Sequence, residues 1–270
     1  MNKCKVAVVQ MRIYENKIDN LKNLNSMLKK ISQNNVDMVI LPEMFCCPYE
    51  TSKFPLYAEF EGGKTFTYLA NLAKDNNIYL VAGSMPELDN ENKVYNTSYV
   101  FNRKGKMIAK HRKIHLFDMQ LGNKFVQESK TITPGSNITV FDTEFGKFGL
   151  CICYDLRFPE IFRMMIDKRA KCIIVPAAFN MKTGPSHWEL LFKCRSVDNQ
   201  VYTIGCAPSR NYSDKYISFG NSLVVSPWGD IVHKLDEKED FFICDIDFDY
   251  VNSIRSELPV LNHRRIDLYK

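Results

Sequence analysis

Two periods of apolar residues take turns along the first third of the chain. Residues 5–9, Lys-Val-Ala-Val-Val, read as a strand, after which Ile18, Leu21, Leu24, Leu28 and Ile31 recur at helical spacing. A buried strand follows at 36–41, closed by Pro42-Glu43. A second helix is predicted over 65–75 with Leu69, Leu72 and Ala73 on one face, stopped by Asn76-Asn77 and followed by a strand at 78–82.

The middle of the chain changes character. Strands at 95–101 and 107–113 flank Asn102-Arg103-Lys104-Gly105, a hairpin turn in which the glycine supplies the positive φ. Residues 117–133 show neither period and are expected to form a long loop, of the kind that is usually functional in a compact domain. A second hairpin turning at 143–147 leads into Phe148-Gly149-Leu150-Cys151-Ile152-Cys153. Helices are then predicted over 159–168 and 186–198, and strands over 172–175, 201–206, 222–226, 231–235 and 241–245, with Pro227-Trp228-Gly229-Asp230 as a turn.

Helices interleaved with two sets of strands predict an α/β fold of four layers, an α-β-β-α sandwich. A single doubly wound sheet is the competing architecture, but tight hairpins do not suit a purely parallel sheet. One domain over 1–270 is expected, with 259–270 a tail that has no core role and reaches a partner subunit.

Composition narrows the class. With 45% hydrophobic and 25% charged residues, disorder, collagen and coiled coil are excluded. The net charge of +5 is dispersed, and its densest cluster, Lys110-His111-Arg112-Lys113, is broken by Ile114 and Leu116, so no nucleic-acid-binding stripe is expected. The longest apolar runs fall far short of the ~20 residues that span a bilayer, and the first residues lack a secretory pattern. A cytoplasmic protein without a membrane partner is therefore expected. Nine cysteines, an odd number, fit a compartment where thiols stay reduced. Their spacings contain no Cys-x2-Cys pair, so a metal-binding module is disfavoured and no metal or cofactor is expected.

Three polar residues each close an apolar run: Glu43, Lys113 and Cys153. Singly, each has a bland reading, as a capping group, a solvated lysine or a small buried hydrophobe. Together they supply a thiol nucleophile, a glutamate that can take its proton and return it to a leaving amine, and an ammonium that favours both thiolate and oxyanion. The turn after Cys153 would leave the Tyr154 amide as a second oxyanion donor. A papain-like pairing of Cys153 with His187 competes, but His187 lies beside a predicted helix start, where a capping or wall role is simpler.

Leu41-Pro42-Glu43-Met44-Phe45, the run from His111 through Asp118, and the run from Cys151 through Glu160 resemble the three signature blocks of the nitrilase superfamily of carbon-nitrogen hydrolases. That resemblance spans nearly the whole chain. It implies the α-β-β-α sandwich, usually dimeric, and a triad of Cys153, Glu43 and Lys113. It also implies a second glutamate, Glu128 in Phe125-Val126-Gln127-Glu128-Ser129, that orients Lys113 and the reacting carbonyl.

Within the superfamily, the run from Ala178 through Leu191 resembles the ω-amidase branch, which hydrolyses the terminal amide of 2-oxoglutaramate and 2-oxosuccinamate. The resemblance implies a small amide substrate whose distal carboxylate is held by Arg157 and Thr183, with Phe179 lining the pocket. An arginine fork suits a planar carboxylate in any case, although Arg157 could instead pair with Asp155 or Glu160. Deaminated-glutathione amidases, carbamoyl-amide hydrolases and nitrilases share the triad and remain rivals for the substrate. Cys46-Cys47-Pro48-Tyr49-Glu50 departs from the Asn-Ser-Pro-Tyr-Gly of the branch, and Met44 stands where cysteine is common. Tyr49 is retained and is a candidate substrate contact.

Overall fold

The computed structural model describes residues 3–121 and 124–269. In chain order the first half runs β1 (Lys3–Gln10), α1 (Lys17–Ile31), β2 (Met38–Ile40), α2 (Phe54–Tyr57), β3 (Glu59–Phe60), α3 (Lys64–Asp75), β4 (Tyr79–Val81), β5 (Met85–Leu88), β6 (Val94–Phe101), β7 (Met107–Arg112), β8 (Asp118–Leu121) and β9 (Lys124–Gln127). The second half runs β10 (Thr139–Thr143), β11 (Gly146–Leu150), α4 (Pro159–Asp167), β12 (Cys172–Pro176), α5 (Gly184–Asn199), β13 (Tyr202–Cys206), β14 (Leu223–Val225), β15 (Ile231–Lys234), β16 (Asp240–Asp247) and α6 (Phe248–Glu257).

Alternation along the strands builds the layers. Val6 and Val8 of β1, with Met38, Ile40 and Val81, point to one side and meet Leu150, Ile174, Ile204 and Val224 of the other sheet in one buried cluster. Their neighbours Ala7, Val9, Val39 and Leu80 point the other way and pack on Leu24, Leu28, Leu69 and Leu72 of α1 and α3. Across the molecule, Ile173, Val175 and Val225 face Phe162, Met165, Trp188 and Phe192 of α4 and α5. Period-two alternation with both faces covered is what a buried strand requires. The result is the expected α-β-β-α sandwich.

The first sheet is ordered β16-β1-β2-β4-β6-β5-β3 with β7 on β6, and the second β10-β11-β12-β13-β14-β15. Within them β1, β2 and β4 are parallel, as are β11, β12 and β13. Both parallel sets thus send their C-terminal ends to the same edge of the sandwich, where loops carry side chains outward. The turn joining β6 to β7 is as predicted. Asn102 Oδ1 accepts from Lys104 N and Lys106 N, each at 3.0 Å, and Gly105 takes φ +71°.

Three expectations are corrected. Residues 117–133 are not a structureless loop: β8 and β9 pair antiparallel, and Glu128–Lys130 closes them with a 3-10 turn. The hairpin leaves Phe125 62% exposed, so no buried face imposed a readable period. Helix α6 was not anticipated, although Phe248, Val251 and Ile254 are buried at spacings of three and Asp247 caps it by accepting from Asp249 N and Tyr250 N. Ile18, expected on the core face of α1, is 59% exposed, and buried Asn20 instead binds the Tyr14 backbone. In the tail, Leu261 packs against the α4–α5 layer while Ile266, Leu268 and Tyr269 are exposed. No helix among the described residues is long and apolar enough to cross a membrane.

Candidate active site

Glu43 leaves the end of β2 through a backbone held from both sides. Gly83, at φ +52°, lies so close that a Cβ there would stand 2.0 Å from Pro42 O, and Ser84 Oγ accepts the amide of Met44, itself at φ 51°. The Glu43 carboxyl is thereby turned into the protein and is 1% exposed. Its Oε1 accepts from Asn96 Nδ2 at 2.9 Å and Lys113 Nζ at 3.1 Å, and its Oε2 from the Ala178 amide at 2.8 Å.

Lys113 follows β7 directly. Its backbone N donates to Asn96 O at 2.8 Å, and its ammonium, wholly buried, bridges Glu43 and Glu128, the latter at 2.9 Å. Glu128 is fixed in turn by Tyr49 Oη at 2.5 Å and by the Phe117 amide at 2.7 Å. Cys153 comes after β11 and opens the 3-10 turn Cys153–Arg157 with φ 46°, a conformation a β-carbon resists. The first hydrogen bond of that turn runs from Asp155 N to Ile152 O. The Tyr154 amide precedes that bond, where a helical start leaves its N–H without an internal acceptor.

Burial pushes the Cys153 thiol up, the Glu43 charge pushes it further, and Lys113 and the Ala178 amide only partly oppose them. The thiol is therefore the resting form. Burial likewise raises Glu43, against the Lys113 ammonium and with the help of Glu128. For Lys113 burial works toward the neutral amine, but Glu128 and Glu43 outweigh it and hold the proton. The cluster contains a protonated nucleophile, a carboxyl of raised proton affinity beside it, and a permanent cation. This is the charge arrangement for moving one proton between sulfur and carboxylate.

Cys153 opens onto a narrow cavity of about 10 Å³, lined also by Tyr154, Arg157, Phe179 and Thr183. The sequence-predicted substrate residues Arg157, Phe179 and Thr183 are thus brought to the nucleophile. Arg157 pairs with neither Asp155 nor Glu160. Its guanidinium lies 5.1 Å from the Phe179 ring and 3.2 Å from His187 Nδ1. His187 therefore stands beside Arg157 rather than at the thiol. Thr183 Oγ1 contacts Asn180 Oδ1 at 3.2 Å.

Tyr49 is placed differently. Its hydroxyl donates to Glu128, its ring lies 4.4 Å from that of Tyr216, and it lines a larger cavity of about 380 Å³ that shares Ala178 and Tyr216 with the smaller one. That larger cavity reaches Glu43 and Met44, the smaller one reaches Cys153, and Lys113 lines neither. Met44 and Cys47, part of the departure from the ω-amidase pattern, are buried with Phe54 and Ile132 behind Glu43.

Sequence reasoning missed Asn96, Asp155, His111, Tyr216 and the Ala178 amide. Of these, only His111 carried a signal, because a residue two before Lys113 on a strand points to the same side. Among the described residues, no group of three or more His, Cys, Asp or Glu side chains is arranged to hold a metal ion.

The sandwich and its buried thiol, carboxylates and ammonium define the class of the carbon-nitrogen hydrolases, and the chain belongs to that family, whose profile matches residues 5–256. It is similar to the omega-amidase NIT2-A of Xenopus laevis, 43% identical over 270 residues that cover 100% of this chain and 98% of the relative. It is also similar to the omega-amidase NIT3 of Saccharomyces cerevisiae, 42% identical, covering 99% of this chain and 95% of that one. The crystal structure of Nit3 from S. cerevisiae, a member of branch 10 of the nitrilase superfamily, superposes with a TM-score of 0.90 at 41% identity, covering 97% of both chains.

Proposed function

We propose that this hydrolase is an ω-amidase, cleaving the terminal carboxamide of 2-oxoglutaramate and 2-oxosuccinamate to the 2-oxo acid and ammonia. The observation that carries the reading is that Cys153, Arg157 and Thr183 line one and the same narrow cavity. A thiol next to Glu43 and Lys113 attacks amides, and a guanidinium fork with a hydroxyl near it receives a carboxylate. Relatives named omega-amidase at 42–43% identity over the full chain support the same choice.

In the proposed reaction Glu43 takes the proton of Cys153 as sulfur attacks the amide carbon, and the carbonyl π pair moves to oxygen. Lys113 and the Tyr154 amide hold that oxyanion. Collapse breaks the carbon–nitrogen bond, and Glu43 returns its proton so that ammonia leaves a thioester on Cys153. Water then gives a proton to Glu43 and its oxygen to the acyl carbon. Expulsion of the Cys153 thiolate, reprotonated by Glu43, frees the acid. Glu128 keeps Lys113 aimed through both additions. Every role is filled by the chain's own groups, so the reading calls on no cofactor.

For assembly, the same reading is a homodimer joined across α4 and α5, where Met164, Leu190 and Val197 are 49–58% exposed, together with the 259–270 tail. A monomer in sedimentation equilibrium would contradict it.

The deciding experiment is ammonia release from 2-oxoglutaramate, deaminated glutathione, an N-carbamoyl amino acid and a simple nitrile. The first is expected to react fastest, and Cys153→Ala to lower its rate by roughly 10⁴-fold or more. Preference for another member of the panel overturns the substrate, and an active Cys153→Ala overturns the mechanism.

A further inference from the structure

Beside the proposed triad lies a buried carboxylate that the mechanism does not use. Asp155 sits two residues after the nucleophile and is 0% exposed. Its Oδ2 accepts the Ile152 amide at 3.0 Å and His111 Nε2 at 3.2 Å, and its Oδ1 accepts both the backbone N and Nδ1 of His115, each at 2.8 Å. An ionised carboxylate only accepts, so each histidine nitrogen facing it carries its hydrogen there. His111 and His115 stand two residues before and two residues after Lys113. One carboxylate from the second sheet therefore grips the first-sheet segment on both sides of the ammonium, and also grips the residue immediately before the thiol.

The grip extends outward on either side. His111 Nδ1 lies 3.0 Å from Thr139 Oγ1 on β10. The His115 ring stacks on Phe158 with centroids 3.6 Å apart and planes 9° apart, and Phe158 meets Tyr154 edge-on at 5.4 Å. Tyr154 is the residue whose amide is proposed to bind the oxyanion. Cys153 itself holds a left-handed backbone that persists only where its surroundings over-determine it.

We infer that Asp155, through His111 and His115, is a positioning residue that fixes the Cys153 turn against the Lys113 segment and so sets the distance between nucleophile and ammonium. This rests on the proposed roles of Cys153 and Lys113, but not on the identity of the substrate. Displacement by about 1 Å at a reacting centre costs on the order of 10²-fold in rate, so loosening the clamp lowers turnover without removing any group that touches substrate. Because Lys113 favours the thiolate, the same loosening makes Cys153 a poorer nucleophile toward any electrophile.

His115 is the accessible lever, since its side chain is 26% exposed while its partner Asp155 is wholly buried. His115→Leu removes the ring donor, and His115→Asn keeps a side-chain N–H close to the place of Nδ1. On protein corrected for folded fraction, His115→Leu is expected to lower kcat roughly 10- to 100-fold while KM moves little. It is also expected to slow iodoacetamide alkylation of Cys153, followed by mass spectrometry of its peptide, by a comparable factor. His115→Asn is expected to restore most of both. A folded His115→Leu enzyme with parental kcat and parental alkylation overturns the clamp, as does a loss confined to thermal stability. Cys153→Ala distinguishes the two levels: if it stays active, the underlying site reading fails; if it is dead while His115→Leu is unimpaired, only the clamp fails.

Discussion

Glu43 and Asp155 lie just beyond strands of opposite sheets, are equally hidden from solvent, and carry the same functional group, yet they hold their protons in opposite ways. Glu43 is raised by burial, and its nearest cation is shared with a second carboxylate, Glu128. Asp155 feels the same burial, but bonds from His111 and His115 and from the Ile152 amide hold it well below the usual carboxylate range. Burial alone therefore decides neither. What decides is whether the surrounding donors outnumber the charges to be compensated. In one region the protein builds a carboxyl that can change state during a reaction, and in the other an anion that cannot, which makes it useful only as a fixed point.

The hardest test of that contrast removes the movable proton. Glu43→Gln keeps the size of the side chain but cannot accept from the thiol, and the kcat for ammonia release is expected to fall by roughly 10²- to 10⁴-fold with KM little changed. An enzyme losing less than tenfold would place the base elsewhere.

A second test compares the two carboxylates by acid titration. Glu43, with a raised folded value, stops serving as a base at a pH above the ordinary carboxylate range, so kcat/KM is lost there. Its protonation does not weaken the fold, because a raised acid gives stability that is full at low pH and is lost as pH rises through its folded value. Asp155 is the reverse: its stabilising contribution is present above the unfolded value of about 3.9 and is lost only as pH falls through its lower folded value. On lowering the pH, activity is therefore expected to disappear while circular dichroism still reports a folded protein. Coincident loss of the two signals would mean that Glu43 and Asp155 do not differ as described.

The contrast also marks where the sequence could be read. Glu43 and Cys153 each follow an apolar run, and Lys113 closes the strand that begins at Met107, so strand ends alone drew attention to them. Glu128 follows a hairpin with an exposed Phe125 and was visible only through family resemblance. Asn96 and Asp155 left no local trace, because their work is done across strands and across sheets. Asn96 acquires its role when its Nδ2 reaches Glu43, 53 residues away, and Asp155 when it meets His111, 44 residues away. The layers were legible because alternation is a local property of each strand. Helix α6 was passed over because Phe248, Val251 and Ile254 continue directly from the strand pattern of β16, with Asp247 serving both as the last strand residue and as the helix cap.

The smallest of the expected effects concerns the wall facing the thiol, where charge is used for recognition rather than for chemistry. Arg157 is half-buried, its guanidinium resting against Phe179 and near His187, with no carboxylate among its partners in the described residues. A cation so placed is available to a ligand. Hydrogen bonds to charged groups contribute about 1.5–3 kcal/mol, which corresponds to roughly 10- to 150-fold in affinity. Arg157→Met, which keeps the apolar stem over Phe179, is therefore expected to raise KM for 2-oxoglutaramate within that range and leave kcat within a few-fold. For an uncharged primary amide the KM should hardly move, since that substrate has nothing for the guanidinium to hold. Equal changes on both substrates would make Arg157 a support for the Phe179 wall, and the carboxylate would then have to be received by some other group in the cavity.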